Sequence, residues 1–168
     1  MLEWLGGNAC SLGAALADAF SSSRKSARSM LLIQCISQLL YATSAILLKG
    51  YSAAVQNLTS ILRNIYFVQS KTNKYLEWFL ILLPVVLGLI FNNRGLLGLL
   101  PVVANLEYSL VMFFFKNDAA KLKLALAVCC AIFVVFYYFL TNYVGMVMCL
   151  FIIASAVFSL LGTKKAEK

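Results

Sequence analysis

No histidine occurs anywhere in the 168 residues, which removes the commonest general base and a common metal ligand. Charge is scarce too. Charged residues make up 12% of the chain against 62% apolar ones, well under the quarter share of a soluble domain. A water-soluble domain of this length would lack the polar surface to cover itself. No CxxC or metal-ligand spacing links the five cysteines, Cys10, Cys35, Cys129, Cys130 and Cys149. All lie in apolar runs, where a thiol packs as a small hydrophobe. Neither a metal nor a cofactor is expected. Nor is any Lys/Arg-rich stretch long enough to track a phosphate backbone, so the net charge of +8 does not point to nucleic acid.

What is present is a series of apolar runs between short polar connections. Seven can be delimited: Leu2–Phe20, Met30–Leu48, Ser52–Gln69, Tyr75–Phe91, Leu96–Phe115, Leu122–Leu140 and Val144–Gly162. Each is roughly 17 to 20 residues, close to what crosses a hydrocarbon core at ~1.5 Å per residue. The expected class is an all-α membrane protein of seven transmembrane helices, with the lipid bilayer as solvent. Ala17-Asp18-Ala19 resembles a signal-peptidase site, but Glu3 replaces the usual positive lead and Gly6, Gly7 and Asn8 interrupt the apolar stretch. The segment is read as the first helix.

Charge sets the expected topology. Arg24, Lys25, Arg28, Lys71, Lys74, Lys116, Lys121, Lys123, Lys164, Lys165 and Lys168 fall on one side, Lys49 and Arg94 on the other. The cation-rich side is expected to be cytoplasmic, placing the N-terminus outside and the C-terminus inside.

Shifting the chain by 92 residues lays Leu5-Gly6 on Leu97-Gly98, Leu48 on Leu140, and Lys49-Gly50-Tyr51 on Thr141-Asn142-Tyr143. Helix starts and loops coincide as well. Helices one to three therefore read as a copy of helices five to seven. The expected division is 1–69 for the first repeat, 70–95 for a linking fourth helix with its loops, and 96–168 for the second repeat and tail. One linking helix makes the two units parallel.

This 3+1+3 plan is that of the SWEET, PQ-loop and PnuC-type transporters. The stretch from Gln38-Leu39-Leu40-Tyr41 through Lys49-Gly50-Tyr51 to Asn57 and Arg63-Asn64 resembles bacterial inner-membrane proteins of the YgjV type. That resemblance implies a bacterial cytoplasmic (inner) membrane. SWEET and PQ-loop proteins carry a proline in the first helix of each repeat. Here Pro101 has Ala9 as its counterpart, so a symmetric proline hinge does not carry over. Pro84 falls in the linking helix, where it is expected to bend a lipid-facing segment.

Helix three holds the candidate site. Gln56, Asn57, Ser60, Arg63 and Asn64 recur at spacings of three and four and form a broad polar face, which lipid cannot leave unpaired. Asn57, Ser60 and Asn64 read either as hydrogen-bonding glue between helices or as cavity lining. The resemblance to SWEET proteins favours lining, although Asn57 maps to Cys149 and Asn64 to Ala156 in the second repeat. Arg63, about twelve residues into its helix, needs a partner near mid-bilayer. Glu107 is at matching depth in helix five, so the two are expected to pair or to share a cavity, as a static lock or as a gated pair. In a third reading, Arg63 snorkels to the headgroups. Asn105 and Gln38 are secondary candidates, and Asp18 is expected to cap the Arg24/Lys25 loop.

The leading functional expectation is a facilitator or proton-linked carrier for a small polar solute, a zwitterion or weak acid in preference to a neutral sugar. A membrane receptor or assembly factor is the alternative. An embedded enzyme ranks last, because no carboxylate pair at one depth supplies acid–base chemistry.

Overall fold

The computed structural model describes residues 1–22, 27–69, 73–115 and 119–166. Arg24, Lys25, Lys71, Lys116 and Lys168, and the side chains of Arg28, Lys123, Lys164 and Lys165, lie outside the described residues. Among the described residues there are seven α-helices and no strands: α1 Leu2–Ser22, α2 Ala27–Leu47, α3 Tyr51–Val68, α4 Lys74–Ile90, α5 Leu100–Phe114, α6 Ala119–Phe139 and α7 Tyr143–Ala166. They match the seven apolar runs to within a few residues. A 3-10 turn over Gly95–Leu99 leads into α5, and Pro101 sits in the first turn of that helix, where its missing N–H and fixed φ are tolerated. It makes no mid-helix kink.

By length and composition, Gly95–Phe114 is the one helix among the described residues long and apolar enough to cross a membrane; Leu31–Leu47, Leu124–Phe139 and Tyr143–Phe158 form shorter apolar helices. Polar residues dilute α1 and α3, and α4 has 17 residues. The distribution of side chains is nevertheless inverted relative to a soluble protein. Leu12, Leu39, Leu62, Val86, Val103, Val135 and Phe151 are exposed, one on each helix, while Ser11, Ser37, Ser44, Ser52, Gln56 and Asn64 are buried. An apolar surface extending over every helix suits lipid and exceeds what a soluble monomer exposes.

Contacts between helices close a ring. In order, α1, α2, α3, α5, α6 and α7 each touch the next, α7 returns to α1, and α4 packs from outside against α3 and α5. Trp78 of α4 meets Phe113 of α5 with ring centroids 5.2 Å apart. Inside the ring, Ala45, Leu48, Ala53 and Ala54 cluster with Cys130, Phe136, Tyr137, Leu140 and Cys149. Small residues let helices come together there: a Cβ on Gly7 would lie 2.7 Å from Leu48 Cγ.

The turns after α2 and α6 are alike in detail. Lys49 and Thr141 both take left-handed φ values, 58° and 57°. Gly50 N–H donates to the Ala45 carbonyl at 2.7 Å and Asn142 N–H to that of Tyr137 at 3.0 Å. Lys49 N–H donates to Ile46 O at 3.0 Å and Thr141 N–H to Tyr138 O at 3.2 Å. These are two Schellman endings, which satisfy the last carbonyls of each helix. Each left-handed residue also turns its own carbonyl toward another helix start. Lys49 O accepts from Asn93 Nδ2 at 2.8 Å and Arg94 Nε at 3.1 Å, ahead of α5. Thr141 O accepts from Trp4 Nε1 at 3.1 Å and Asn8 Nδ2 at 3.4 Å on α1.

Candidate functional site

Gln56, Ser60 and Arg63 fall at i, i+4 and i+7 on α3 and so share one stripe. The stripe faces α5, which presents Asn105 and Ser109 four residues apart, and α4 at its proline. Gln56 Nε2 donates to the Pro84 carbonyl at 2.7 Å, and Gln56 Oε1 accepts from Asn105 Nδ2 at 2.7 Å. Arg63 Nη1 donates to Asn105 Oδ1 at 3.1 Å and to Ser109 Oγ at 2.6 Å. Ser60 Oγ lies 3.5 Å from Asn105 Oδ1 and 3.4 Å from Arg63 Nη2. All five side chains are buried. Gly88, one turn past Pro84, makes room for them: a Cβ there would run into Gln56 Nε2 and come within 2.6 Å of Val102 Cγ2. Pro84 is thus buried against α3, contrary to the lipid-facing bend expected of it, because Gly88 fixes which face of α4 docks.

Arg63 is 7% exposed. Its partners are neutral: Asn105, Ser109, Ser60, and the Tyr108 ring 5.6 Å from the guanidinium carbon. Its Nε has no hydrogen-bond partner. The expected Arg63–Glu107 ion pair is not formed: the one salt bridge among the described residues joins Lys49 to Glu3 at 4.0 Å. Helical rotation is the reason. Asn105 and Ser109 differ by about 40° around α5, whereas Glu107 stands about 200° from Asn105 at ~100° per residue. Glu107 Oε2 is buried without a hydrogen-bond partner. Beside Arg63 lies a cavity of ≈ 10 Å³, lined by Arg63, Tyr66, Glu77, Leu80, Ile81, Ser109 and Phe113. That is room for about one water.

Of the residues expected from the sequence, Arg63, Gln56, Ser60 and Asn105 therefore meet in one network. Asn57 and Asn64 do not join it. Both are buried on α3, about 80° to 100° around from Gln56, away from the exposed Leu58, Leu62 and Ile65. That flank turns toward α2 and the inside of the ring. Asn64 Oδ1 is buried there with no partner. Gln38 is half-buried on α2 and takes no part. Asp18, expected to serve a loop whose cations lie outside the described residues, accepts a hydrogen bond from the buried Ser37 Oγ of α2.

The sequence pattern did not mark Ser109, Tyr66, Glu77 or Gly88, and gave Pro84 only the role of a bend. Ser109 was detectable, being one turn from Asn105 on the same face. Nor did the pattern mark a second buried cluster, in which Asn142, ahead of α7, donates through Nδ2 to Ser11 Oγ at 2.8 Å. There Ser11 and Ser44 hydroxyls lie 2.8 Å apart, and Asn142 Oδ1 accepts from Gly145 N–H at 2.9 Å. Chemically, both clusters bind and orient polar groups by hydrogen bonds. The first adds one buried positive charge.

The chain belongs to the Imp-YgjV family of bacterial inner membrane proteins, whose family model matches residues 7–167. No curated protein and no solved structure matches it.

Proposed function

We propose that this inner-membrane protein is a carrier, a facilitator or proton-linked, that moves a small polar metabolite between the two helix triplets α1–α3 and α5–α7. The observation that supports this best is the polar seam of Gln56, Ser60, Arg63, Asn105 and Ser109. It lies between α3 and α5, the junction between α1–α3 and α5–α7. A membrane protein can seal such a junction with apolar side chains at less cost than burying a guanidinium there. On this reading the two triplets are parallel repeats in a SWEET-like 3+1+3 plan, with α4 as the linker. The repeat relation sends the α3–α5 contact onto α7–α1, and both contacts exist. It likewise sends Lys49 onto Thr141, both left-handed. The chain then crosses seven times, N-terminus outside and C-terminus cytoplasmic. The polar flank of Asn57 and Asn64 lines the path, and no enzymatic role is assigned.

The test is uptake of a panel of radiolabelled amino acids, weak acids and sugars into proteoliposomes. Saturable uptake above protein-free vesicles supports the carrier. A panel without any such uptake, on folded protein, refutes it. The second reading, a receptor or assembly factor on the same helical plan, has one observation in its favour. The seam is close-packed, with about one water's room beside Arg63.

A further inference from the structure

Resting on the carrier reading, the geometry points to Arg63 as the receptor for a carboxylate group on the transported solute. A guanidinium recognises carboxylates through a planar fork, two parallel N–H donors along one edge. On Arg63 the edge formed by Nε and Nη2 is the one left over. Nη1 is spent on Asn105 and Ser109 at 3.1 and 2.6 Å. Nε has no partner at all, and Nη2 reaches only Ser60, at 3.4 Å. The residue is buried, at 7% exposure, and no acidic side chain forms a salt bridge with it among the described residues. A buried cation without a counter-ion is costly in a protein interior and more so in a membrane. An anion that enters and leaves relieves that cost only while bound, which is what a carrier requires of its solute site.

The surroundings narrow the class. Ser109, already bonded to Arg63, and Tyr66 border the adjoining cavity together with Leu80, Ile81 and Phe113. The Ser109 hydroxyl with apolar walls suits one oxyanion head on a small body, while the Tyr66 hydroxyl is taken up by the Asn73 backbone. Glu77 borders the same cavity and has an interaction of its own. Its acidic side chain opposes each negative charge brought into the cavity, so the fit is to a group with a single carboxylate, a monocarboxylate or a zwitterion, and not to a dianion. The cavity now has room for only about one water, so the carboxylate head enters only as the α3–α5 seam parts.

Formate, the smallest carboxylate, is the probe. The thermal unfolding midpoint of the purified protein in detergent is followed while sodium formate replaces sodium chloride at fixed ionic strength. Wild type is expected to show a saturable rise. Arg63→Lys, which keeps the charge but not the fork, is expected to weaken the apparent formate affinity about tenfold, and Arg63→Met to abolish the rise. No rise in wild type, or an unchanged rise in either variant, overturns the assignment. Where Arg63→Met does not fold, Arg63→Lys decides alone. Uptake measurements separate this inference from the carrier reading. Formate binding that depends on Arg63 in a protein that transports nothing leaves the site standing and removes the carrier. Carboxylate uptake that is unaffected in Arg63→Lys leaves the carrier standing and removes the site.

Discussion

Replacing Gly88 by alanine on an ordinary helix surface stabilises by about 1 kcal/mol through helix propensity. Here the reverse is expected. The new Cβ would overlap Gln56 Nε2 and approach Val102 Cγ2 to 2.6 Å, and Gln56 is held in place by two bonds of 2.7 Å, to Pro84 O and from Asn105 Nδ2. Moving that amide aside weakens both, at about 0.5–1.5 kcal/mol each. Overpacking against Val102 adds about 1–3 kcal/mol. The gross cost is about 2–6 kcal/mol and, after the propensity gain, the net is about 1–5 kcal/mol. Thermal or denaturant unfolding in detergent micelles reads it as a lowered midpoint for Gly88→Ala. The cost has an internal control, since Gln56→Ala removes the obstructing amide. In that background Gly88→Ala should cost markedly less than it does alone, a non-additivity that a double-mutant cycle resolves. A higher midpoint for Gly88→Ala alone, or strict additivity with Gln56→Ala, would refute the docking of α4 described above.

Three further substitutions probe other features. Thr141 is a β-branched residue at φ 57°, a backbone region that costs L-residues about 1–2 kcal/mol; Thr141→Gly should raise the unfolding midpoint, and a lower one contradicts the strain. Asn142→Ala loses the cap on Gly145 and the bond to Ser11, and should cost about 1–3 kcal/mol in the same assay. Glu107 has a buried carboxylate oxygen without a partner, so Glu107→Gln is expected to fold with an unchanged or higher midpoint. A loss of more than about 1 kcal/mol would mean that the charge has a stabilising role.

Much of this architecture is written in the sequence. The seven helices are legible because each apolar run ends in polar residues, and the likeness of the turns at Lys49 and Thr141 follows from Lys49-Gly50-Tyr51 lying over Thr141-Asn142-Tyr143. The α3 face was legible too, since Gln56, Ser60 and Arg63 keep helical spacing. Rotation was not legible from depth alone. Glu107 is level with Arg63 along the bundle, yet residues 105 and 109, two places to either side, are those that face it. The docking of α4 was hidden for a similar reason. Pro84 reads as a bend until Gly88, one turn on, is seen to admit Gln56. The partners of Asn142 were out of reach because Ser11 and Ser44 are 131 and 98 residues away in the chain.

The carrier reading requires an aqueous path between the two helix triplets, flanked by Asn57 and Asn64. Thiol labelling tests it most directly. With the five native cysteines replaced, Asn57→Cys, Asn64→Cys and, as an outward-facing control, Leu62→Cys are treated in vesicles with a charged, membrane-impermeant methanethiosulfonate. The two inward positions should react from at least one side of the membrane while Leu62→Cys resists. If Asn57→Cys and Asn64→Cys prove as inert as Leu62→Cys from both sides, the ring encloses no aqueous path and the carrier reading is contradicted.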